Sequence, residues 1–488
     1  MSLFSQRPRQ SDGVHRDCVD DRARGLRAPR CAVPHLGEQR PQSTLAWMLT
    51  FVFAPGIGLL VYVLFGRDGK AFSRRSKLLL HDLRPAAVPV LSPVLSRQDE
   101  ALETLAHDSA IRRRLMMLVR RNSRSALTGR NRVEIQQNAE QFYASLIENL
   151  KAARQSIHLQ YFIWAVDPFT ELLRQILIER ARAGVEVRLL YDPIGSQAHV
   201  GRRYVREMNA AGGPNGAHFS ASSAAHDQLP KSSENNSGRW RRRVHRRHEH
   251  RPGAAGWRRG FHLLGDTQVR FTGEAVAMLQ AVFAVDWYNA VRENLFAPKY
   301  VPMEAIRGVD GDVPVQILIS GPDAEWAAIR QLYAGMVVSA QRHVRLQSPF
   351  FIPDATLAEA VATAALGGVN VQVMVSARPS GNRLPDWAGN TFMADIVAAG
   401  VRVFLYQKGY LHAKTISIDS EICSIGSANI DVRSFSINYE LNAVVYSERV
   451  AKELEADFDR DLAYCTEFDP AAYRRRDCSF GCGIREPG

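Results

Sequence analysis

The feature that most restricts the possible folds is a strand–helix–strand pattern that occurs twice, roughly 185 residues apart. In the first copy, 140–154 reads as an amphipathic helix, Ser156 to Trp164 (SIHLQYFIW) as a buried strand, 170–183 as a helix and Val185 to Tyr191 (VEVRLLY) as the next strand. In the second, 324–341 is helix, His343 to Ile352 (HVRLQSPFFI) strand, 355–366 helix and Val369 to Val375 (VNVQVMV) strand. Leu159-Gln160 aligns with Leu346-Gln347, and Gly184 aligns with Gly368, each just before its strand. The pattern predicts a duplicated α/β protein whose sheets are covered by helices. A chain of 488 residues exceeds one typical core, so about two to three domains, or one pseudo-dimeric enzyme, are expected.

Chemistry-bearing residues concentrate between Tyr410 and Glu440, YLHAKTISIDSEICSIGSANIDVRSFSINYE. His412 and Lys414 are two apart, so on a strand they share a face. Thr415 to Ile418 continues as a β-branched strand, Asp419 and Ser420 supply a turn, and Ile422 to Ile425 returns toward Gly426, Ser427 and Asn429. That set suits a phosphate. Lysine is a point charge, serine and asparagine donate hydrogen bonds, glycine admits close backbone approach, and histidine can attack phosphorus or pass a proton near neutral pH. No metal or other cofactor is required. His-x-Lys alone more often marks an ordinary strand edge. The full spacing H-x-K-x4-D-x6-G-S-x-N fixes six positions, and at about 5% usage each, chance gives it on the order of once in 10⁵ chains of this length.

This spacing resembles the HKD motif of the phospholipase D superfamily, and Arg433, Ser434, Phe435, Asn438 and Glu440 continue it as in the bacterial cardiolipin synthase branch. The resemblance implies two phospholipase D-like α/β halves with mixed sheets, packed face to face, each giving one HKD motif to a shared site. It implies phosphatidyl transfer through a phosphohistidine, with the anionic lipid phosphatidylglycerol as donor and acceptor and cardiolipin and glycerol as products. His412, Lys414 and Asp419 would be catalytic, His412 as the acid/base. Lys414, Gly426, Ser427 and Asn429 would hold the phosphate, and Asp419 and Glu440 would orient imidazoles. By spacing alone Glu440 is almost as well read as a surface carboxylate. The rivals are a phospholipase D-type phosphodiesterase acting on phospholipid or nucleic acid, and an inactive membrane-bound homologue.

Residues 1–43 are rich in Arg, Pro and Gln without sustained periodicity and read as disordered. Thr44 to Phe65 is 22 residues without a charge, with Trp47 and Tyr62 near its ends, and reads as a transmembrane helix rather than a core helix. Arg67, Lys70, Arg74, Arg75 and Lys77 follow, placing the catalytic part on the cytoplasmic side of the inner membrane, although upstream arginines oppose that orientation. A linker and helix fill 66–125, with Leu83 to Pro93 as a Pro-rich linker and Gln98 to Arg121 as helix. The first half is expected over 126–300, the second over 301–470, and an irregular tail over 471–488.

In the second copy His412 lies 37 residues after Val375, so a first motif is expected near 227–245. That region reads DQLPKSSENNSGRWRRRVHRRHEH, with no His followed two residues later by Lys. Strand patterning is absent between Gly213 and Gly265 and resumes abruptly at Asp266. A solvated loop or a nucleic-acid arm would explain the arginines; a non-native reading frame also explains the loss of apolar periodicity. The net charge of +12 does not argue for nucleic acid, because 1–44 and 213–262 carry ten of those charges. Without a first motif, a homodimer offering His412 twice is the one way to pair two intact halves, but the degenerate half occupies the surface it would need. The six cysteines form no C-x-x-C pair, so neither disulfides nor zinc are assigned.

Overall fold

The computed structural model describes residues 70–98, 101–102, 109–196, 200–211, 218–221, 264–301, 306, 308–377 and 383–471. The expected disordered segment 1–43 and membrane span 44–65 lie outside them, as do 222–263 and 472–488. Among the described residues no helix is long and apolar enough to cross a membrane.

Helix α1 (Lys70–Leu95) runs through the segment expected to be a Pro-rich linker and contains Pro85, Pro89 and Pro93. Each proline removes a helical hydrogen bond, but Leu83, Ala87, Val90, Leu91 and Val94 are buried. Burial at roughly 2 kcal/mol for each large side chain offsets most of the roughly 3 kcal/mol that each proline costs. Of the helix expected over Gln98 to Arg121, Gln98, Ala101 and Leu102 are helical, 103–108 lie outside the described residues, and α2 (Ala110–Ser123) begins at Ser109, whose hydroxyl accepts the Arg112 N–H.

The first half contributes β1 (Leu127–Thr128), β2 (Asn131–Gln137), α3 (Asn138–Ala152), β3 (Ser156–Tyr161), α4 (Pro168–Arg182), β4 (Glu186–Tyr191), α5 (Pro193–Ser196), α6 (Arg202–Ala211) and β5 (His218–Ala221). It continues with β6 (Leu264–Gly265), β7 (Thr267–Gly273) and α7 (Glu274–Val291). Strands β3, β4 and β5 form a parallel sheet, and β2 pairs antiparallel with β7. Thus strand structure extends to Ala221, beyond the expected break at Gly213, because β5 finds a partner in β4. Strand β1 pairs with the second half, so a boundary at 126 does not separate the halves cleanly.

The second half contains β8 (Val315–Ser320), α8 (Ala328–Ser339), β9 (His343–Gln347), β10 (Phe351–Ile352), α9 (Ala355–Leu366), β11 (Asn370–Ser376), α10 (Arg383–Ala398), β12 (Arg402–Tyr406) and β13 (Tyr410–Leu411). Then come β14 (Thr415–Ile418), β15 (Ile422–Gly426), β16 (Ile430–Asp431), α11 (Val432–Ser436), β17 (Glu440–Val445), α12 (Glu448–Leu462) and β18 (Cys465–Glu467). A mixed nine-stranded sheet runs β1-β8-β17-β15-β14-β9-β11-β12-β18. The β14–β15 hairpin forms over the expected residues, with Thr415 opposite Ile425 and Ile418 opposite Ile422.

Alternation on these strands fills two cores. Ile416, Ile418, Ile422 and Val444 face α2, α8 and α9. Cys423, Ile425, Ala443 and Val445 face α1, α12 and α7, whose Trp287 is fully buried. The first half thus packs through α7 against the second half's sheet. The repeat is visible in the backbone: Gly184 and Gly368 both adopt φ +91° before β4 and β11, a conformation that favours glycine.

On the α12 side Glu455 is buried and accepts hydrogen bonds from Ser417 Oγ (2.9 Å), Ser420 N (3.2 Å) and His343 Nε2 (3.0 Å). Burial pushes its carboxyl up, but the bonds from His343, Ser420 and Ser417 outweigh it and hold it at about 2. A depressed carboxyl stabilises the fold above its ordinary 4.5, and that contribution disappears as pH falls from there toward 2. Glu455→Gln is expected to destabilise by about 1–3 kcal/mol at neutral pH and much less near pH 3, in denaturant titrations at the two pH values. An equal loss at both would refute the linkage.

Candidate active site

The site forms where β13 leaves one sheet and β14 enters another. Tyr410–Leu411 pairs in parallel with Leu264–Gly265 of the first half, and the His412 N–H donates to the Gly265 carbonyl at 2.6 Å. Three residues outside any strand then lead to Thr415. His412 and Lys414 therefore do not share the face of one strand, as their spacing suggests. The histidine is half-exposed, whereas Lys414 is buried and donates from Nζ to the His412 carbonyl at 2.6 Å.

His412 Nδ1 lies 3.0 Å from Asp266 Oδ2. The Asp266 carboxylate is fixed by the Thr267 N–H (2.9 Å) and Gln268 Nε2 (3.2 Å). With Nδ1–H donating to this carboxylate, Nε2 is left with its lone pair directed away from the carboxylate. That is the arrangement of an imidazole able to take a proton or attack phosphorus. Asp266 was not singled out by spacing. It lies 146 residues from His412, and the only sequence signal was that globular patterning resumes there.

The expected role for Asp419 is corrected by its position. It sits at the far end of β14, buried, in a turn where Asp419 and Ser420 have φ of 53° and 56°. Its carboxylate accepts the N–H groups of Gln341 (2.8 Å), Arg342 (2.7 Å) and His343 (2.9 Å). It anchors the start of β9 and cannot orient His412.

At the other arm of the hairpin, Gly426 is required by contact. A Cβ there would lie 2.3 Å from Asn442 Oδ1 and 2.4 Å from the Leu441 carbonyl. Buried Asn442 donates to Tyr333 Oη (2.9 Å) and Ser424 Oγ (3.1 Å) and accepts the Ala428 N–H (3.4 Å). It thereby supports the Gly426–Asn429 corner from below, a role no spacing disclosed. Exposed Ser427 donates to Glu440 Oε2 at 2.5 Å, and Asn438 Nδ2 donates to Glu440 Oε1 at 3.1 Å. Burial raises the Glu440 carboxyl. Asn429 Oδ1 is buried with no hydrogen-bond partner among the described residues.

Burial lowers Lys414 to about 8 despite Asp266, Glu440 and Asp431 nearby. Its ammonium is complete below that value and is lost as pH rises through it. Binding of a phosphodiester ligand to the purified chain is expected to weaken by up to about thirtyfold between neutral pH and about pH 9.5. Lys414→Met should bind weakly with little pH dependence in this range; a wild-type profile in that variant would exclude the lysine.

Comparison with known proteins follows this geometry. A family described as "Cardiolipin synthase, PLD-like domain" matches residues 334–462, and "Phospholipase_D-nuclease N-terminal" matches 31–67, which includes the apolar segment 44–65. The chain is 33% identical over 451 residues to the major cardiolipin synthase ClsA of Bacillus subtilis, covering 88% of this chain and 89% of that one. The chain belongs to the cardiolipin synthase family. A cardiolipin synthase of Oceanobacillus iheyensis is 32% identical, covering 92% and 93% of the two chains. Among solved structures, phosphatidylserine synthase of Haemophilus influenzae shares the fold, with TM-score 0.52 at 13% identity over 73% of this chain and 91% of that one. Membership accounts for the α/β halves with mixed, helix-flanked sheets and makes the chain a phospholipid phosphatidyltransferase by family.

Proposed function

We propose that the chain is a cardiolipin synthase of the inner membrane, held there by the 44–65 segment with its catalytic part in the cytoplasm, and that the absence of a first His-x-Lys motif impairs its turnover. The observation that carries the chemistry is the His412–Asp266 pair beside Lys414 and the Ser427–Glu440 corner. Lys414, the Ser427 hydroxyl, the Asn429 side chain and the backbone around Gly426 meet a phosphodiester. In the first step one imidazole bonds to phosphorus while the other gives a proton to the departing glycerol oxygen. In the second, that imidazole takes the proton from the hydroxyl of another phosphatidylglycerol, whose oxygen displaces the first imidazole and yields cardiolipin. His412, with Asp266 on Nδ1, fits the acid/base role, since the carboxylate stabilises the imidazolium form. Glu440, held by Ser427 and Asn438, is the residue we assign to orienting the opposite imidazole.

Thin-layer separation of products from labelled phosphatidylglycerol tests the reading in a form of the protein that carries a first-half His-x-Lys strand. Cardiolipin plus glycerol is expected. Phosphatidic acid plus glycerol would show that water replaces the lipid acceptor, and the phosphodiesterase reading would take over.

A further inference from the structure

We infer that the outer face of α2 is a docking surface for anionic lipid headgroups, separate from the catalytic corner. Its sequence, AIRRRLMMLVRRNS, has five arginines and no acid. Leu115, Met116 and Val119 are buried against the second half's core. Inward-pointing Arg112 is matched by Glu421 (3.8 Å) and Glu448 (3.5 Å). Arg113, Arg114 and Arg121 differ: all three are exposed, and their side chains have no ion pair or hydrogen bond among the described residues. At about 100° per residue they occupy one arc of roughly 100°.

Folding alone gives no reason for this face. Arg113 lies in the first turn, where the helix dipole disfavours a cation; Arg121, in the last turn, is favoured by the dipole but still repelled by the like charges of Arg113 and Arg114 on its face. A partner of opposite charge removes both penalties. The charge distribution favours a bilayer over a nucleic acid. Residues 45–125 hold thirteen basic against six acidic residues, directly continuing from the uncharged segment 44–65. The α/β remainder, 126–212 with 263–488, has net charge −5 and would repel a polyanion wrapped around it. A planar anionic surface touches only the basic face.

The helix also has a defined place. Its start is tied to the β14–β15 turn through Ser109 and Glu421 (3.2 Å), and its end to the start of α8, where Asn122 Nδ2 donates to the Ala328 carbonyl (3.3 Å). Since α8 begins just beyond the Ser320 end of β8, and Ser320 lies opposite Glu440, α2 runs from the remote end of the sheet toward the site end. Headgroups held along it are led toward the catalytic corner.

The test uses the full chain in phosphatidylcholine nanodiscs, with and without phosphatidylglycerol, and an arginine-selective dicarbonyl label read by peptide mass spectrometry. Each arginine at an anionic surface gains enough attraction for labelling of Arg113, Arg114 and Arg121 to fall about threefold or more. About 0.5 M salt should reverse the fall. Arg402, half-exposed near the opposite edge of the sheet, should be unaffected. Equal labelling of the three arginines in both discs overturns the inference, as does protection by a short DNA duplex but not by anionic lipid. Co-elution of the chain with phosphatidylcholine discs reports the membrane segment separately, so failure of the anchor and failure of the arginine face are distinguishable.

Discussion

His412→Ala is expected to lower phosphatidyl transfer by on the order of 10³-fold or more in a chain carrying both motifs, because it removes a group that must move a proton or bond to phosphorus in each step. His412 is half-exposed, so the substitution leaves no large cavity, and the thermal midpoint should stay close to that of the parent. Asp266→Asn makes the sharper measurement. It keeps the shape of the partner at Nδ1 but removes the negative charge that stabilises an imidazolium, so a loss on the order of 10²-fold in kcat, with little change in KM, is expected. Full activity in Asp266→Asn would reduce the 3.0 Å contact to a structural one. Full activity in His412→Ala would make the whole six-residue spacing incidental.

The difference between these two residues shows what the sequence could disclose. His412, Lys414, Gly426, Ser427 and Asn429 lie within 18 residues, and the β14–β15 hairpin between them is set by local alternation and a two-residue turn. The repeat was legible for the same reason, since helix and strand periods and a glycine before β4 and β11 are local signals. Asp266 reaches His412 only because β6 pairs with β13 across the two halves, and long-range pairing leaves no mark in spacing. Asp419 was misread in the opposite way. Its spacing from His412 says nothing about which end of β14 it occupies, and the extended chain from Thr415 to Asp419 alone carries it roughly 13 Å beyond the start of that strand. The prolines of α1 misled because composition registers the broken helical bonds and not the buried Leu83, Val90 and Leu91 that offset them.

The polypeptide as written is expected to bind phospholipid and to turn it over on the order of 10³-fold more slowly than a form with a first-half His-x-Lys strand. The reaction requires a nucleophile and an acid at once, and no hydrogen bond or ring contact joins His412 to another histidine among the described residues. His245, His248 and His250 fall in 222–263, outside the described residues, and the sequence gives none of them a lysine two positions on. A two-fold dimer could present His412 twice, but β6 and Asp266 already lie against β13 and the imidazole. A second copy would have to displace the carboxylate that prepares His412 for its role. Restoring the first motif by frame correction across 222–263 should therefore raise cardiolipin formation without changing the β3–β4 sheet or α7, which lie outside the altered stretch. Purified chain of confirmed mass forming cardiolipin at the rate of the corrected form would overturn this, and would require a second proton-transfer group at the site other than a histidine.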